Sequence, residues 1–367
     1  MQKNKPNPQK PVILISPLDW GLGHTTRMIP VIKELLQQDC SLIVACNSTQ
    51  KAVLQMEFPD LNYVNLDGYN VKYGSTMTGN RLLLLLQTFK ILIKIKKEHL
   101  WFLRYSAKNR VDAVISDNRY GLYSHNIPSV LITHQLQPIS GFGKAIDAAA
   151  QFFLNKKINR FTECWVPDAI ERNGLAGVLS HPQKLPGIPV IYMGPLSRME
   201  PLPAIEERNL LILLSGPEPQ RTILENKIIK QLQFNTRNVI LVRGLPAELK
   251  QLPPVPNTVL FNHADSKTLN QLICSAALVI CRSGYTTVMD MMKLKKKMVV
   301  IPTPGQAEQE YLGKYLSTTT IAPTADQLGF SLEKAIEKSA AFTYIFSDYN
   351  MDEYKNVIRR FIASRFS

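Results

Sequence analysis

The sequence predicts an α/β protein with two doubly wound parallel sheets, and three observations lead to that prediction. Short apolar strands alternate with longer amphipathic stretches, this alternation occurs twice, and a proline-containing break separates the two runs. Strands that are buried on both faces and joined by helices form parallel sheets with right-handed crossovers. The chain of 367 residues also exceeds the usual size of a single core, so we expect two domains.

The strand candidates fall into two groups. Before residue 170 they are PVILIS, SLIVAC, YVNL, DAVIS, SVLIT and ECWV, and after the break they are NLLILLS, NVILVRG, TVLFN, ALVIC and MVVIPT. The break, GPLSRMEPLPAIEERN at 194–209, has three prolines and no periodicity, as a linker does. We therefore expect Rossmann-like domains over 1–198 and 199–348. The tail, 349–367, has the apolar spacing of a helix.

Composition narrows the class of protein and of partner. Hydrophobic residues make up 45% of the chain and charged residues 20%, as in a globular protein. The formal net charge of +14 favours anionic partners. The five cysteines lie in or beside apolar runs without metal-binding spacing, which indicates reduced core thiols in a cytoplasmic protein. The polar first ten residues are expected to be a loose leader, and no stretch has the ~18 apolar residues of a membrane-spanning helix.

The first loop of interest is SPLDWGLGHTTR, residues 16–27, between the first strand and the first helix. Gly21 and Gly23 permit a tight turn, and the helix that follows presents its N-terminus to an anion or a polar substrate. A nicotinamide cofactor is not expected, because the third glycine of a dinucleotide-binding loop is missing and SLIVACNS provides no acid for a ribose. His24 is a candidate general base, with a structural histidine that packs the turn as the alternative.

A second loop, CRSGYTTVMD at 281–290, follows another buried strand. The strand ends with Arg282, Ser283 and Gly284, and the helix begins with Tyr285, Thr286 and Thr287, whose N–H groups and hydroxyls suit a phosphate. Asp290 could accept the two hydroxyls of a ribose. An ordinary helix start, with Ser283 as N-cap, would give a similar pattern.

A third loop lies in VVIPTPGQAEQEYLGKYL, residues 299–316, where a strand ends in prolines and a glycine. A polar cluster of Gln306, Glu308, Gln309 and Glu310 follows at a helix start. In open parallel sheets, ligands bind outside the carboxyl ends of the strands. Two consecutive polar loops at one sheet edge therefore indicate a binding site.

The segment 277–316, together with GLGHTTR at 21–27, resembles family 28 glycosyltransferases, and in particular their C-terminal nucleotide-sugar-binding domain. The resemblance implies the GT-B fold, in which two doubly wound Rossmann-like domains face a cleft and the C-terminal helix, here 349–367, crosses back to the first domain. It also implies an N-terminal domain that binds the acceptor and a C-terminal domain that binds the nucleotide sugar.

The same resemblance implies a role for individual residues. Asp290 stands where the family has a glutamate that binds the uridine ribose, and Gln309 and Glu310 stand beside the donor sugar. Arg198 faces the donor diphosphate, and the loop LLSGPEPQR places Ser215 and Gly216 at the phosphates. His24 matches a histidine implicated in acceptor activation, and His134, in THQLQP, lies on the acceptor side with Gly21 and Gly23 although the family's acid after this histidine is missing.

These roles combine into an inverting transfer. His24 or Asp19 removes the acceptor proton while Arg198 and the helix start at 283–286 stabilise the departing diphosphate. No metal site and no cofactor are expected, since the UDP-sugar is a co-substrate. The predicted function is transfer of GlcNAc or another hexose from a UDP-sugar to a lipid-linked or glycolipid acceptor. A sugar-nucleotide epimerase and a non-catalytic nucleotide-sugar-binding protein are the alternatives.

The stretch 81–110 bears on the acceptor. Two rows follow helical spacing, a mainly basic row (Gln87, Lys90, Lys94, Lys97, Arg104, Lys108) and an apolar row (Leu82, Leu85, Leu86, Phe89, Leu92, Ile93). A basic amphipathic helix suits an anionic membrane surface, and a helix packed on its own sheet with solvated lysines is the alternative. A nucleic-acid partner is not expected, because no recognition motif is present. We therefore expect a cytoplasmic protein, with peripheral attachment to the cytoplasmic face of the membrane left open.

Overall fold

The computed structural model describes residues 10–71, 74, 77–171, 174–203, 209–246, 248 and 252–366, with backbone alone for 77–85. Four parts of the sequence-based predictions lie outside the described residues. They are the leader up to residue 9, positions 204–208 of the linker, the side chains of Leu82 and Leu85, and Ser367 at the end of the tail.

Seven strands of the described chain form the first sheet, and all of them are parallel. They are β1 (Val12–Pro17), β2 (Ser41–Cys46), β3 (Asn62–Asn65), β4 (Ala113–Asp117), β5 (Ser129–Ile132), β6 (Glu163–Val166) and β7 (Val190–Tyr192). The helices between them are α1 (Leu22–Gln37), α2 (Ser48–Glu57), α3 (Met77–Lys108) and α4 (Lys144–Ile158). The strand order is β3-β2-β1-β4-β5-β6-β7, so the winding direction reverses between β1 and β4.

The second sheet repeats this plan with five parallel strands in the described part of the chain. They are β8 (Asn209–Leu213), β9 (Val239–Val242), β10 (Thr258–Phe261), β11 (Ala276–Cys281) and β12 (Met298–Val300), in the order β10-β9-β8-β11-β12. The helices are α5 (Gln220–Leu232), α6 (Ser266–Cys274), α7 (Tyr285–Lys293), α8 (Ala307–Thr318), α9 (Leu332–Ala340) and α10 (Glu353–Phe366). Here the winding reverses between β8 and β11.

The packing of alternate side chains along the strands of the first sheet shows which helices lie on the same face. Ile13 and Ile15 of β1 pack in the cluster that contains α1 and α10, whereas Leu14 between them packs with Phe102 of α3. Successive side chains of a strand point to opposite faces. On β6, Cys164 and Val166 likewise pack with α4 and Trp165 packs with α10. Helices α3 and α4 therefore cover one face of this sheet, opposite α1 and α10.

The C-terminal helix returns to the first sheet. The ring of Phe361 meets Trp165 of β6 edge-on, with centroids 5.4 Å apart, and Arg359 Nε donates to Glu34 Oε1 of α1 at 2.9 Å. The predicted architecture, two doubly wound sheets with a C-terminal helix that crosses back, is confirmed. The boundary at residues 198 and 199 stays a prediction; β7 ends at Tyr192 and β8 begins at Asn209.

The chain's five cysteines are all buried free thiols, as the sequence predicted. Of the helices in the described ranges, none has the length and apolar character needed to cross a membrane.

Candidate active site

The reversal point of the first sheet brings together residues that are far apart in sequence. Asp117 is the last residue of β4, and His24 lies in the first turn of α1, directly after β1. The turn between β1 and α1 uses Gly21 at φ 101°, a backbone conformation that glycine adopts without strain. This sharp turn starts α1 at the end of the sheet, and the imidazole of His24 meets the carboxylate of Asp117.

His24, Asp117 and Arg27 form a hydrogen-bonded group. His24 Nδ1 lies 2.9 Å from Asp117 Oδ2, Arg27 Nε donates to the same oxygen at 3.1 Å, and Arg27 Nη2 donates to Asp117 Oδ1. Asp117 and Arg27 are fully buried, whereas the His24 side chain is 17% exposed. The accessible member of the group is therefore the histidine.

The charges around His24 set its protonation. Burial, and next to it the Arg27 guanidinium, lowers the pKa of His24, although Asp117 opposes the shift. Burial by itself would raise the pKa of Asp117, but Arg27 and His24 outweigh it and hold that pKa below its ordinary value. At neutral pH the group thus combines a neutral imidazole with an ionised carboxylate, which is the state a general base requires.

His134 links this group to the second domain. Its Nδ1 lies 3.3 Å from Arg27 Nη1, and its Nε2 lies 2.9 Å from Glu308 Oε1 at the start of α8. Gln135 Nε2 donates to the other oxygen of Glu308. Glu308 of the second domain therefore bonds the side chains of two consecutive residues of the first domain. The His134 ring also stacks on Tyr285, with centroids 4.3 Å apart.

The hydroxyls of the loop after β11 form hydrogen bonds to other parts of the protein. Tyr285 Oη donates to the carbonyl of Pro167 at 2.9 Å, and Thr286 Oγ1 donates to the carbonyl of Gly23 at 3.1 Å. Both of these bonds join the second domain to the first. Ser283 Oγ donates to the carbonyl of Gln309 at 2.8 Å. Gly284 is the N-cap of α7 and provides no side-chain cap for its N–H groups.

Asp290 and Arg198 lie together where the chain passes between the domains. Asp290 Oδ1 accepts a hydrogen bond from Ser197 Oγ at 2.6 Å, and the carboxyl is buried. Burial raises the pKa of Asp290 to about 6, against the opposing charge of Arg198. Arg198 Nε is buried and has no hydrogen-bond partner within the described ranges. Asp290, whose carboxyl was predicted to bind a ribose, thus also forms a hydrogen bond to the segment that precedes β8.

The reversal point of the second sheet contains buried polar atoms that have no hydrogen-bond partner among the described residues. Gly216, at φ 100°, follows β8, and a Cβ built on it would lie 4.0 Å from Arg282 Nε and 3.8 Å from Thr303 Oγ1. Neither of these two atoms has a hydrogen-bond partner in the part of the chain that the structure describes. Burial lowers the pKa of Arg282 to about 10. A buried cation and a hydroxyl beside an open glycine backbone suit an anionic ligand.

Gln309 and Glu310 shape the loop after β12. Gln309 Oε1 accepts from the N–H of Thr303 at 2.9 Å, and Glu310 Oε1 accepts from the N–H of Gly305 at 2.7 Å. The two residues predicted to lie beside the donor sugar therefore fix the backbone that carries Thr303. Ser215 and Gly216 follow the end of β8, which is separated from β12 in the sheet by β11.

Asp19 lies in the loop after β1, in a different hydrogen-bond arrangement. Its two oxygens accept from the N–H groups of Tyr69 at 2.9 Å and Asn70 at 3.1 Å. Among the described residues no hydrogen bond connects Asp19 with the group formed by His24 and Asp117.

Sequence reasoning did not single out Asp117, Arg27 or Arg282. Two signals could have found Asp117 and Arg27. Asp117 ends the strand segment that begins DAVIS, and an acid at the carboxyl end of a central parallel strand is a site candidate. Arg27 follows His24 by three positions, which places both on one face of a helix.

Comparison with proteins of known structure identifies the class of protein. The crystal structure of the glycotransferase of kitacinnamycin aligns over 98% of this chain and 97% of its own, with a TM-score of 0.62 and 14% identity. Acinetobacter baumannii MurG aligns over 97% and 99%, with a TM-score of 0.54 and 15% identity. Phytolacca americana UGT2, complexed with UDP-2fluoro-glucose and pterostilbene, aligns over 97% and 94%, with a TM-score of 0.57 and 15% identity. The chain thus has the fold of GT-B glycosyltransferases.

Part of the second half of the sequence matches a protein family. Residues 221–344 match the glycosyltransferase family 28 C-terminal domain. No curated protein matches the chain over its sequence. The resemblance to family 28 GT-B glycosyltransferases is confirmed, because the chain has the GT-B fold and a C-terminal domain that matches family 28.

Proposed function

We propose that the protein is an inverting glycosyltransferase that moves GlcNAc or another hexose from a UDP-sugar to a lipid-linked or glycolipid acceptor at the membrane surface. One observation carries the proposal. An accessible histidine paired with a buried carboxylate lies at the reversal point of one sheet, and a buried cation without a carboxylate partner in the described chain lies at that of the other. Transfer of a sugar by direct displacement needs a base that deprotonates the acceptor and a site that stabilises the leaving diphosphate.

In the proposed reaction, His24 acts as the base. With the Nδ1 proton donated to Asp117, the lone pair on Nε2 takes the proton of the acceptor hydroxyl. The acceptor oxygen forms a bond to the anomeric carbon as the bond from that carbon to the UDP oxygen breaks, so the configuration inverts. Asp117 stabilises the imidazolium that results.

The leaving diphosphate would be held by groups of the second domain. Gly216, Arg282 and the uncapped N–H groups at the start of α7 surround the end of β11, and Arg198 adds a second cation beside Asp290. Cations and N–H groups fixed before the reaction stabilise the charge that develops on a departing diphosphate. Ser215, Ser283 and Tyr285 would shape this site through the backbone.

The remaining predicted residues take supporting roles in the proposal. Asp290 would accept the ribose hydroxyls, and Gln309 and Glu310 would position the donor sugar through the loop that carries Thr303. Asp19 would hold the loop at Tyr69 and Asn70 rather than act as the base, because both of its oxygens already accept backbone hydrogen bonds.

The surface of α3 supports a lipid-linked acceptor and cytoplasmic, membrane-peripheral action. The apolar row predicted from the sequence includes exposed members, among them Leu86, Phe89, Leu92 and Ile93. The helix packs on the sheet through other residues, such as Ile95 and Phe102. An exposed apolar row beside lysines fits an anionic membrane surface. The epimerase alternative gives no reason for such a surface.

Calorimetric titration tests the donor site. Purified protein is titrated with UDP and then with UDP-, GDP- and dTDP-sugars, and the variant Asp290→Asn is titrated beside it. We expect selective binding of UDP, weakened about tenfold or more in Asp290→Asn, because a hydrogen bond to a charged group contributes roughly 1.5–3 kcal/mol. Asp60→Asn, at an exposed acid outside the site, is the matched control and should bind as the wild type does. Folded protein that binds no nucleotide would contradict the proposal.

A further inference from the structure

The guanidinium of Arg282 is hydrogen-bonded along one edge. Its Nη1 donates to Gln327 Oε1 at 2.6 Å and to two backbone carbonyls at 3.4 Å, and its Nη2 donates to the carbonyl of Gln220 at 2.9 Å. The remaining nitrogen, Nε, has no partner among the described residues and lies 4.0 Å from a Cβ built on Gly216. The side that carries Nε is therefore left for a ligand beside the glycine turn after β8.

The partners that bind this guanidinium are all neutral. They are carbonyl oxygens and one amide oxygen, although the Arg282 side chain is only 1% exposed. Two other buried arginines are paired with carboxylates, Arg243 with Glu225 at 2.7 Å and Arg119 with Glu98 at 2.5 Å. Burying a cation without a counter-charge is unfavourable. The charge of Arg282 thus remains available to an anion that enters the site.

Gln327, in the loop between α8 and α9, is held rigidly against Arg282. Its side chain is 2% exposed, and Lys227 Nζ donates to the backbone carbonyls of Gln327 at 3.0 Å and Leu328 at 2.5 Å. The amide of Gln327 is bound at both ends, because Nε2 also donates to Gln220 Oε1 at 2.7 Å. Backbone and side chain together fix the position of the oxygen that Arg282 contacts.

A chain of amides sets which end of Gln327 faces the cation. Gln220 Nε2 donates to the carbonyl of Gly74, in the first domain, at 3.2 Å. Since a carbonyl only accepts, the NH₂ of Gln220 faces Gly74 and its oxygen faces Gln327. Gln327 must then turn its own NH₂ to Gln220 and its oxygen to Arg282. The first domain thereby helps to orient an amide that contacts the arginine of the second.

We propose that Gln327 is a positioning residue, whose amide oxygen holds the Arg282 guanidinium with Nε toward the donor diphosphate without neutralising its charge. The inference rests on the proposed function, which assigns the diphosphate to this place. A glutamate of the same length would hold the guanidinium as firmly, but it would form an ion pair with Arg282 and repel the phosphates. The absence of charge on Gln327 is therefore as important as its hydrogen bond.

Two substitutions separate the hydrogen bond from the charge. Gln327→Glu keeps the length of the side chain and adds a carboxylate beside Arg282, whereas Gln327→Met keeps an unbranched chain and removes the hydrogen bond without adding charge. Gln271→Glu, at an exposed position of α6, adds the same charge away from the site and is the matched control. Calorimetry measures UDP binding, ligand-observed NMR measures uridine binding, and thermal unfolding reports whether each variant is folded.

We expect UDP to bind Gln327→Glu about tenfold or more weakly than the wild type, since an interaction with a charged group is lost. Gln327→Met should show a smaller loss, because Arg282 keeps its charge and loses only its orientation. Uridine has no phosphate and should bind both variants as it binds the wild type. Gln271→Glu should bind UDP as the wild type does.

Three outcomes would overturn the role of Gln327. They are an unchanged affinity of Gln327→Glu for UDP, an equal loss for uridine and UDP, and a loss in Gln327→Met at least as large as that in Gln327→Glu. If Gln327→Glu does not fold, an unchanged affinity for UDP in folded Gln327→Met would still overturn it. Wild-type protein that binds no UDP would instead contradict the proposed function itself.

Discussion

His24 shows how neighbouring residues set the orientation and protonation of a side chain. A histidine at a tight turn is as well suited to packing as to catalysis, and the sequence left both readings open. Its contact with the buried, ionised Asp117 orients the ring, and burial together with the charge of Arg27 lowers the pKa of His24. This supports a chemical role for His24.

The first prediction concerns turnover and its pH dependence. His24→Ala should lower kcat by about 10²- to 10⁴-fold, the usual contribution of a general base, with UDP affinity nearly unchanged. Activity of the wild type should fall on the acid side as His24 is protonated, at a pH below the ordinary histidine value of 6.5, because its pKa is lowered. UDP release from the best donor sugar measures both effects.

Asp19→Asn is the control for this prediction. It should keep most of the turnover and reduce stability, because its carboxylate accepts two backbone hydrogen bonds from residues 69 and 70. A larger loss of kcat in Asp19→Asn than in His24→Ala would assign the base to Asp19 instead.

The sequence patterns predicted the loops that form the site, but not the contacts between residues of different loops. Gly21, Gly23 and His24 follow a strand directly, so local spacing reveals them. Asp117 and Glu308 reach the same site from residues about 90 and 280 positions further on, and no local pattern encodes that proximity. The hydrogen bonds of the Tyr285 and Thr286 hydroxyls could not be predicted either, because their acceptors lie in the other domain.

Helix α10 packs in the core of the first domain although it follows the second domain in sequence. Its buried residues Tyr354, Val357, Ile358 and Phe361 show the spacing that predicted a helix, and they pack with residues of α1 and β6. That spacing predicts a buried stripe but not its partner. The partner was expected only from the family resemblance.

The second prediction tests this packing. Phe361→Ala should lower the free energy of unfolding by about 3–5 kcal/mol, as large-to-small changes of buried aromatic residues do. Chemical denaturation followed by Trp fluorescence measures it, since Phe361 contacts Trp165. Phe234→Ala, at 90% exposure, is the control and should change stability very little. Equal effects in the two variants would mean that α10 adds little to this core.

The sequence predicted α3 as an amphipathic helix but gave no comparable signal for α4. In α3 the lysines and leucines separate into two rows, whereas α4 carries alanines and adjacent phenylalanines without a clear polar face. Such a composition is equally typical of a buried helix. Only the packing of the strands, in which α4 covers the sheet mainly through Ile158, shows that its phenylalanines face outward.

At the scale of the whole molecule, the two domains meet through polar contacts at the candidate site. Glu308 binds His134 and Gln135, and the start of α7 binds the carbonyls of Gly23 and Pro167. The group formed by His24 and Asp117 and the loop at Arg282 thus lie on elements that these contacts hold together. Opening the domains would separate them.

The last prediction tests whether Glu308 holds the domains together. Glu308→Ala removes the acceptor for both His134 and Gln135, so the segments 21–27 and 131–138 should exchange amide hydrogens faster, by about three- to tenfold. Hydrogen–deuterium exchange with mass spectrometry measures these peptides. Glu333→Ala removes an exposed ion pair with Arg237 inside the second domain and is the matched control. Unchanged exchange in Glu308→Ala would show that the other contacts suffice.

The return of α10 to the first sheet has a consequence for biosynthesis. A ribosome completes β1 to β7 long before it releases residues 353–366, so Trp165 lacks its contact with α10 during most of translation. Domains generally fold as units in the order in which they are made. In this chain the first domain must wait for the last residues, and a premature stop anywhere in the second domain would also leave the first one incomplete.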